Sequence, residues 1–225
     1  MSAQPRVDPE GVLRAGAPGA LPPAQRAPSV DAEIAPAPRP LAVWRLASFA
    51  GRLAEISGGR SSAALTLAFH LAWEAQRQGE PVAWVGHRER AFFPPDAAAA
   101  GVDLDGLIVV WTSGTLAVAR AADLLVRSGG FGLVVLDLGA SAALPLAALA
   151  RLAGLALKHG TAVLCLTEKE PGRPSLGPLV SMRAEADRVG QPGGRFLCRA
   201  RVVKDKRLGP GWEHAEVCRG PDGLS

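Results

Sequence analysis

The chain has 225 residues, 48% of them apolar, and a formal charge of +4. That length supports one packed domain of ordinary size plus a tail, and no apolar run reaches the roughly 18 residues of a membrane-spanning helix. The mild positive charge permits contact with nucleic acid or an acidic protein without demanding either.

The opening stretch "MSAQPRVDPEGVLR" carries acids and prolines and no apolar h-region, which argues against a secretory signal. The cysteines Cys165, Cys198 and Cys218 are odd in number and widely spaced, so no metal site or disulfide framework is legible. A reducing cytoplasm is the expected compartment, and no membrane association is expected. Arginine outnumbers lysine by 21 to 4, which with the alanine, glycine and proline richness reflects a GC-rich genome more than a function.

Residues 1–40 hold nine of the 19 prolines, and "LPPAQRAPSV" and "APAPRP" suit neither helix nor central strand. They read as a Pro/Ala-rich flexible arm, with residues 41–225 as the core domain and a short tail. From Leu41 the pattern changes. "LAVWRLASFAG" suits a short helix and "RLAEIS" a strand. A glycine-rich loop leads into a helix over 62–78, with Leu65, Ala68, Phe69, Ala72 and Gln76 along one face. "PVAWVG" and "DGLIVVWT" are strands. "GTLAVARAADLLVRSGG" is a helix with a glycine stop, and "FGLVVLDLG" is a buried strand ending in an acid. "LPLAALARLAGLALKHG" is an apolar helix, again closed by glycine, and "TAVLCLTE" is the next strand. Beyond a Gly/Pro-rich loop, "SMRAEADRVG", "RFLCRARVVKDK" and "EHAEVCRG" read as shorter strands in a hairpin or meander. Continuous apolar strands alternating with helices of more than ten residues predict an α/β fold. Its mostly parallel sheet is flanked by helices, with antiparallel strands at the C-terminal edge.

The loop before the first long helix has the cadence of a phosphate-binding loop, G-x-x-x-x-G-K-[ST]. Its eight positions are Gly58, Gly59, Arg60, Ser61, Ser62, Ala63, Ala64 and Leu65. The first glycine is kept. Ala63 replaces the second, Ala64 stands at the lysine and Leu65 at the magnesium-holding hydroxyl. A charge-assisted hydrogen bond contributes roughly 1.5–3 kcal/mol, whereas a helix N-terminus offers an anion on the order of 1 kcal/mol. A triphosphate without lysine and metal is therefore not expected to bind tightly, and no catalytic residue, cofactor or metal is assigned. A weak anion site at the helix N-terminus, or an unconventional ATPase using Arg60 and Asp137, are the alternatives. Asp137 closes the run "LVVLD", where a nucleotide-binding fold carries its metal-side acid, one strand over from the loop.

Taken in order, "GRLAEISGGRSS", "AAAAGVDLDGLIVV", "ADLLVRSGGFGLVVLDLGA" and "RARVVKDKRLGPGWEHAEV" resemble successive segments of the RecA recombinase core, over about residues 51–220. The resemblance places Lys204 and Lys206 at the family's paired lysines, which reach a neighbouring subunit's nucleotide. The chain also departs from the family. Glu89 in "HRERAFFPP" matches the water-activating glutamate only with one residue inserted. The first DNA-binding loop is deleted after Gly139, and the second is cut to "PGRPSLGP". Thr167 or Glu168 replaces the nucleotide-sensing glutamine. The filament-forming N-terminal segment is not recognisable.

Such losses on a RecA-like core are similar to the ImuA family, accessory proteins of inducible, error-prone DNA repair. Membership would imply a non-catalytic adaptor. Its partners would be RecA, a Y-family-like polymerase subunit (ImuB-like) and an error-prone replicative polymerase, with weak direct DNA contact. The SulA-like group of cell-division inhibitors is the competing resemblance. Lys204, Lys206, Arg207, Arg173 and Trp212 are the candidate partner or DNA contacts, with Arg199 and Arg201 extending a basic face. A solvated strand end is the plain alternative for the lysines. Trp84 and Trp111, in strands, are expected in the core, and Trp44 at the arm junction.

Overall fold

The computed structural model describes residues 44–219 except 60, 89–91 and 141. The proline-rich arm predicted over 1–40 lies outside the described residues, as do Arg60 and Glu89.

An eight-stranded sheet in the order β3-β2-β4-β5-β1-β6-β7-β8 forms the centre. Its strands are β1 (Leu53–Gly58), β2 (Val82–His87), β3 (Leu107–Thr112), β4 (Leu133–Gly139), β5 (Ala162–Glu168), β6 (Met182–Gln191), β7 (Arg195–Asp205) and β8 (Glu213–Arg219). β3, β2, β4, β5, β1 and β6 run parallel; β7 and β8 are antiparallel additions at the C-terminal edge. The predicted α/β architecture is the observed one. Continuous apolar strands require cover on both faces. α1 (Leu46–Phe49), α2 (Ala64–Arg77) and α3 (Pro94–Ala99) provide it on one side. α4 (Thr115–Ser128) and α5 (Leu146–His159) provide it on the other. Both long helices on that second side stop where the glycines say they should: Gly129 and Gly160 take left-handed φ of 70° and 73°, conformations that a Cβ penalises. Among the described residues, no helix is long and apolar enough to cross a membrane.

Several details differ from the sequence reading. The buried face of α2 is centred on Ala64, Leu67, Leu71 and Ala75, while Leu65 is exposed and Gln76 is only half-buried. So many small apolar residues occupy this helix that two neighbouring arcs share the helical period. Phe69 is buried because it meets Trp84 at 5.1 Å and Phe92 at 6.0 Å. Trp84 is core, but Trp111 is 40% exposed, because β3 is an edge strand. β6 and β7 are the longest strands in the sheet rather than shorter ones, at 10 and 11 residues, while β8 has 7. β4 does not end at its acid but runs on to Gly139. α3, a single proline-started turn and a half, had no periodic signal to announce it.

The sheet extension is pinned by a buried ion pair. Arg52, just before β1, donates to Asp205 at the end of β7 at 2.7 Å, and both side chains are almost fully enclosed. The guanidinium also donates to the Ser181 hydroxyl and carbonyl and to the Ser48 carbonyl. Trp212 donates its indole N–H to the same carboxylate at 3.3 Å and lies 6.4 Å from buried Trp44, which stacks on His214. β7–β8 pairing brings Cys198 and Cys218 together. All three cysteines are free, and burial together with the Cys198 thiol pushes the Cys218 thiol up to about 12.

Asp205 titrates below its ordinary value of 3.8: burial works to raise it, and hydrogen bonds from Arg52 and from the Arg207 and Leu208 backbone N–H groups outweigh burial. A depressed folded-state pKa stabilises fully above the unfolded value and is lost as pH falls through the folded one. Asp205→Asn should therefore lower unfolding free energy by about 3 kcal/mol at pH 7. It should also flatten the loss of stability below about pH 4, both read by urea denaturation across pH.

Candidate functional site

Of the eight loop positions, Gly58 ends β1, Ala64 and Leu65 open α2, and Gly59, Ser61, Ser62 and Ala63 are the described residues between them. Gly58 ends β1 in register with Glu168 of β5. Behind it the chain turns tightly, Ser62 N–H donating to the Gly59 carbonyl at 3.0 Å. This turn brings the Ser62 side chain directly onto the Cα of Gly58. A methyl group added to Gly58 would overlap that side chain and come within 2.7 Å of the Ala186 carbonyl oxygen. Ser62 Oγ accepts the Ala64 N–H at 3.3 Å, so a donor at the start of α2 is taken by the chain itself. Ala63 and Ala64 are buried under the helix, Leu65 faces solvent and Ser61 is exposed. Asp137 is buried on β4 opposite Gly86 of β2 and Leu166 of β5. The expectation that its strand neighbours the loop strand is corrected: β5 lies between β4 and β1.

The second cluster was not legible in the sequence. Glu55, in the middle of β1, is 1% exposed. Its carboxylate accepts hydrogen bonds from the Thr167 hydroxyl at 2.9 Å, the Lys169 ammonium at 2.7 Å and the Leu176 N–H at 2.8 Å. Arg183 of β6 lies 4.0 Å away, donates to Ser57 Oγ and to the Arg173 carbonyl, and stands 3.5 Å from Glu185. Glu185 accepts from Gly172 N–H and from Arg201, each at 2.8 Å. Burial opposes ionisation of Glu185, but the Gly172 N–H and the Arg201 and Arg183 guanidiniums hold its pKa below the ordinary carboxylate value. This lattice fixes the loop 169–178 across β1, β5 and β6. A signal was present in retrospect: a lone acid inside the apolar strand "LAEIS", with Lys169 just beyond the strand that pairs with it.

Between loop and strands opens a cleft of about 470 Å³. Arg173, Arg183, Arg201 and Lys204 line it with Glu185, leaving a cationic surplus. Lys204 Nζ is 3.4 Å from the Gly177 carbonyl, and Lys206 Nζ donates to the Pro178 carbonyl at 2.7 Å. Burial, then the Lys206 ammonium, hold Lys204 below the ordinary lysine pKa. Arg173 and Lys204 thus meet at the loop. Arg207 is elsewhere, donating to the Ala50 carbonyl, and Trp212 is half-buried against its own domain. Arg199 is engaged with Asp187 of β6 at 2.8 Å.

Residues 46–155 match the RecA N-terminal domain model. The fold is RecA-like. RecA of Fusobacterium nucleatum is 44% identical over 87 residues, 39% of this chain and 23% of that protein. RecA of Rubrobacter xylanophilus is 30% identical over 197 residues, 71% of this chain and 57% of the relative. RecA of Aquifex pyrophilus is 29% identical over 203 residues, covering 74% and 58%. The chain thus spans less than two thirds of the length of these relatives.

Glu55→Gln removes the charge and leaves the Lys169 and Arg183 cations without their shared anion. It should cost about 3–5 kcal/mol and speed amide exchange through residues 170–176, measured by hydrogen exchange of the intact chain.

Proposed function

We propose that the chain is a non-catalytic RecA-like adaptor of the DNA damage response, an ImuA-type accessory of error-prone translesion synthesis. It would act by binding RecA, an ImuB-like polymerase subunit or both, together with an error-prone replicative polymerase. The likeness to RecA proteins supports work in DNA repair or recombination.

The observation that carries the adaptor reading is the closed start of α2. A phosphate loop must leave space and free N–H groups between its first glycine and its helix. Here the Ser62 side chain fills that space and accepts one of the N–H groups. The positions for ammonium and metal-holding hydroxyl are Ala64 and Leu65. These residues do not fit a magnesium-bound triphosphate, and no step of ATP chemistry is assigned to them. What the sheet still provides is a rigid support for surfaces.

A second reading, weak direct DNA binding, is favoured by the cationic cleft of Arg173, Arg183, Arg201 and Lys204. Carboxylates at Glu185 and Asp187 are already bound to Arg201 and Arg199, which leaves a small patch rather than a track for a phosphate backbone.

Calorimetric titration with ATP and magnesium should give no binding heat, while immobilised chain should retain purified RecA or the ImuB-like subunit from the same organism. Saturable ATP binding that disappears in Arg60→Ala would replace the adaptor with an unconventional ATPase. Retention of neither protein would remove the proposed partners. DNA binding through the cleft should weaken steeply with salt and lose about one unit of log–log slope in Lys204→Ala.

A further inference from the structure

The side of the sheet covered by α4 and α5 presents a surface that the core does not use. An apolar groove of about 390 Å³ runs along the seam between the two helices. Ala119, Ala148 and Leu152 form its floor. Leu116 and Leu124 stand beside it, 52% and 66% exposed. Single exposed leucines are ordinary on a protein surface. Two of them flanking a concave apolar floor present a ridge-accepting shape, the geometry that takes an apolar helix face.

Charge identifies the occupant. α4 and α5 together carry Arg120, Arg127, Arg151 and Lys158 against the single carboxylate Asp123. Asp123 is already consumed, since it accepts from both Arg127 and Arg151 across the seam. Arg120 has no carboxylate within either helix left to meet. Of the charged residues that line the groove, Arg120 and Arg151 outnumber Asp123, so the rim keeps a positive surplus over an apolar floor. A symmetric contact with a second copy of the chain would bring the same cations against themselves. A nucleic acid would meet leucines and alanines where its phosphates need donors. A flat anionic bilayer would touch the exposed leucines but leave the concave floor unfilled.

We propose that the α4–α5 groove is the adaptor's docking site for an amphipathic helix from a partner protein. The helix places leucine-like side chains at i, i+4 and i+7 into the groove and acidic residues against Arg120 and Arg151. This assignment rests on the adaptor reading and names its surface.

The test selects peptides about four helical turns long from a random displayed library on the full chain, with counter-selection on Leu124→Glu. Leu124 is exposed, so that variant should keep its unfolding midpoint, and Arg120→Glu provides an independent charge probe. The expected winners are acidic, carry apolar residues at helical spacing, and bind Leu124→Glu and Arg120→Glu at least tenfold more weakly than the parent. No enrichment, enrichment of basic peptides, or winners indifferent to both substitutions would overturn the proposal. So would a dimer in sedimentation equilibrium that Leu124→Glu dissolves, or binding to phosphatidylglycerol vesicles lost in the same variant. If the purified proteins of the preceding section bind both variants as well as the parent and no peptide is enriched, the groove falls and the adaptor stands. If groove peptides are selected but neither protein binds the parent, those partners fall and the groove stands.

Discussion

The centre of the molecule depends on a negative charge that has been taken out of water. Glu55 sits inside β1, where an ionised carboxylate persists only when its lone pairs are met. A hydroxyl from β5, an ammonium just beyond it and a backbone N–H from the following loop meet them. These donors come from the end of β5 and from the loop that follows it, so satisfying the carboxylate ties both to β1. The loop 169–178, which has no secondary structure of its own, is ordered by this demand. Arg183 and Glu185 continue the lattice into β6 and β7, and the cationic cleft is the space left beside it. Arg52 and Asp205 do the same work at the opposite end of the sheet extension.

The parts of the fold that were legible in the sequence are those written in short-range code. β2, β4 and β5 are unbroken apolar runs, and Gly129 and Gly160 close α4 and α5 because only a residue without Cβ takes those φ values cheaply. That Ala64 and Leu65 are neither lysine nor hydroxyl residues was legible too, because a residue type either stands at a position or does not. What stayed hidden depends on pairs far apart in sequence. Nothing near Glu55 announces Lys169 or Arg183. Trp111 looks like core until β3 is known to be the edge. Trp212 looks like a surface anchor until Asp205 and Trp44 are placed beside it. The closure of Ser62 onto Gly58 is a matter of tenths of an ångström, which no residue pattern encodes.

The two surfaces singled out lie on the same side of the sheet. Arg183, Glu185 and Arg201 alternate with Ala184 and Ala200, which pack toward α2, so the cleft opens on the side that carries α4 and α5. The opposite side is spent on packing: Trp44, Phe49, Phe69, Trp84 and Phe92 fill it with contacting rings. Aromatic rings thus pack the side of the sheet under α1, α2 and α3, while aliphatic side chains pack the side under α4 and α5, whose outer surface carries the cleft and the groove.

The position of β1 has a consequence for synthesis. Among the described residues it is the earliest strand to be made, yet its neighbours β5 and β6 begin at Ala162 and Met182. At ribosomal speeds of roughly 5–20 residues per second, the gap lasts on the order of 5–25 seconds. Throughout that interval Glu55 has none of its donors and Leu53 and Ile56 have no strand on either flank. The nascent chain therefore waits, with its central strand unpaired, until the last third of the polypeptide has emerged.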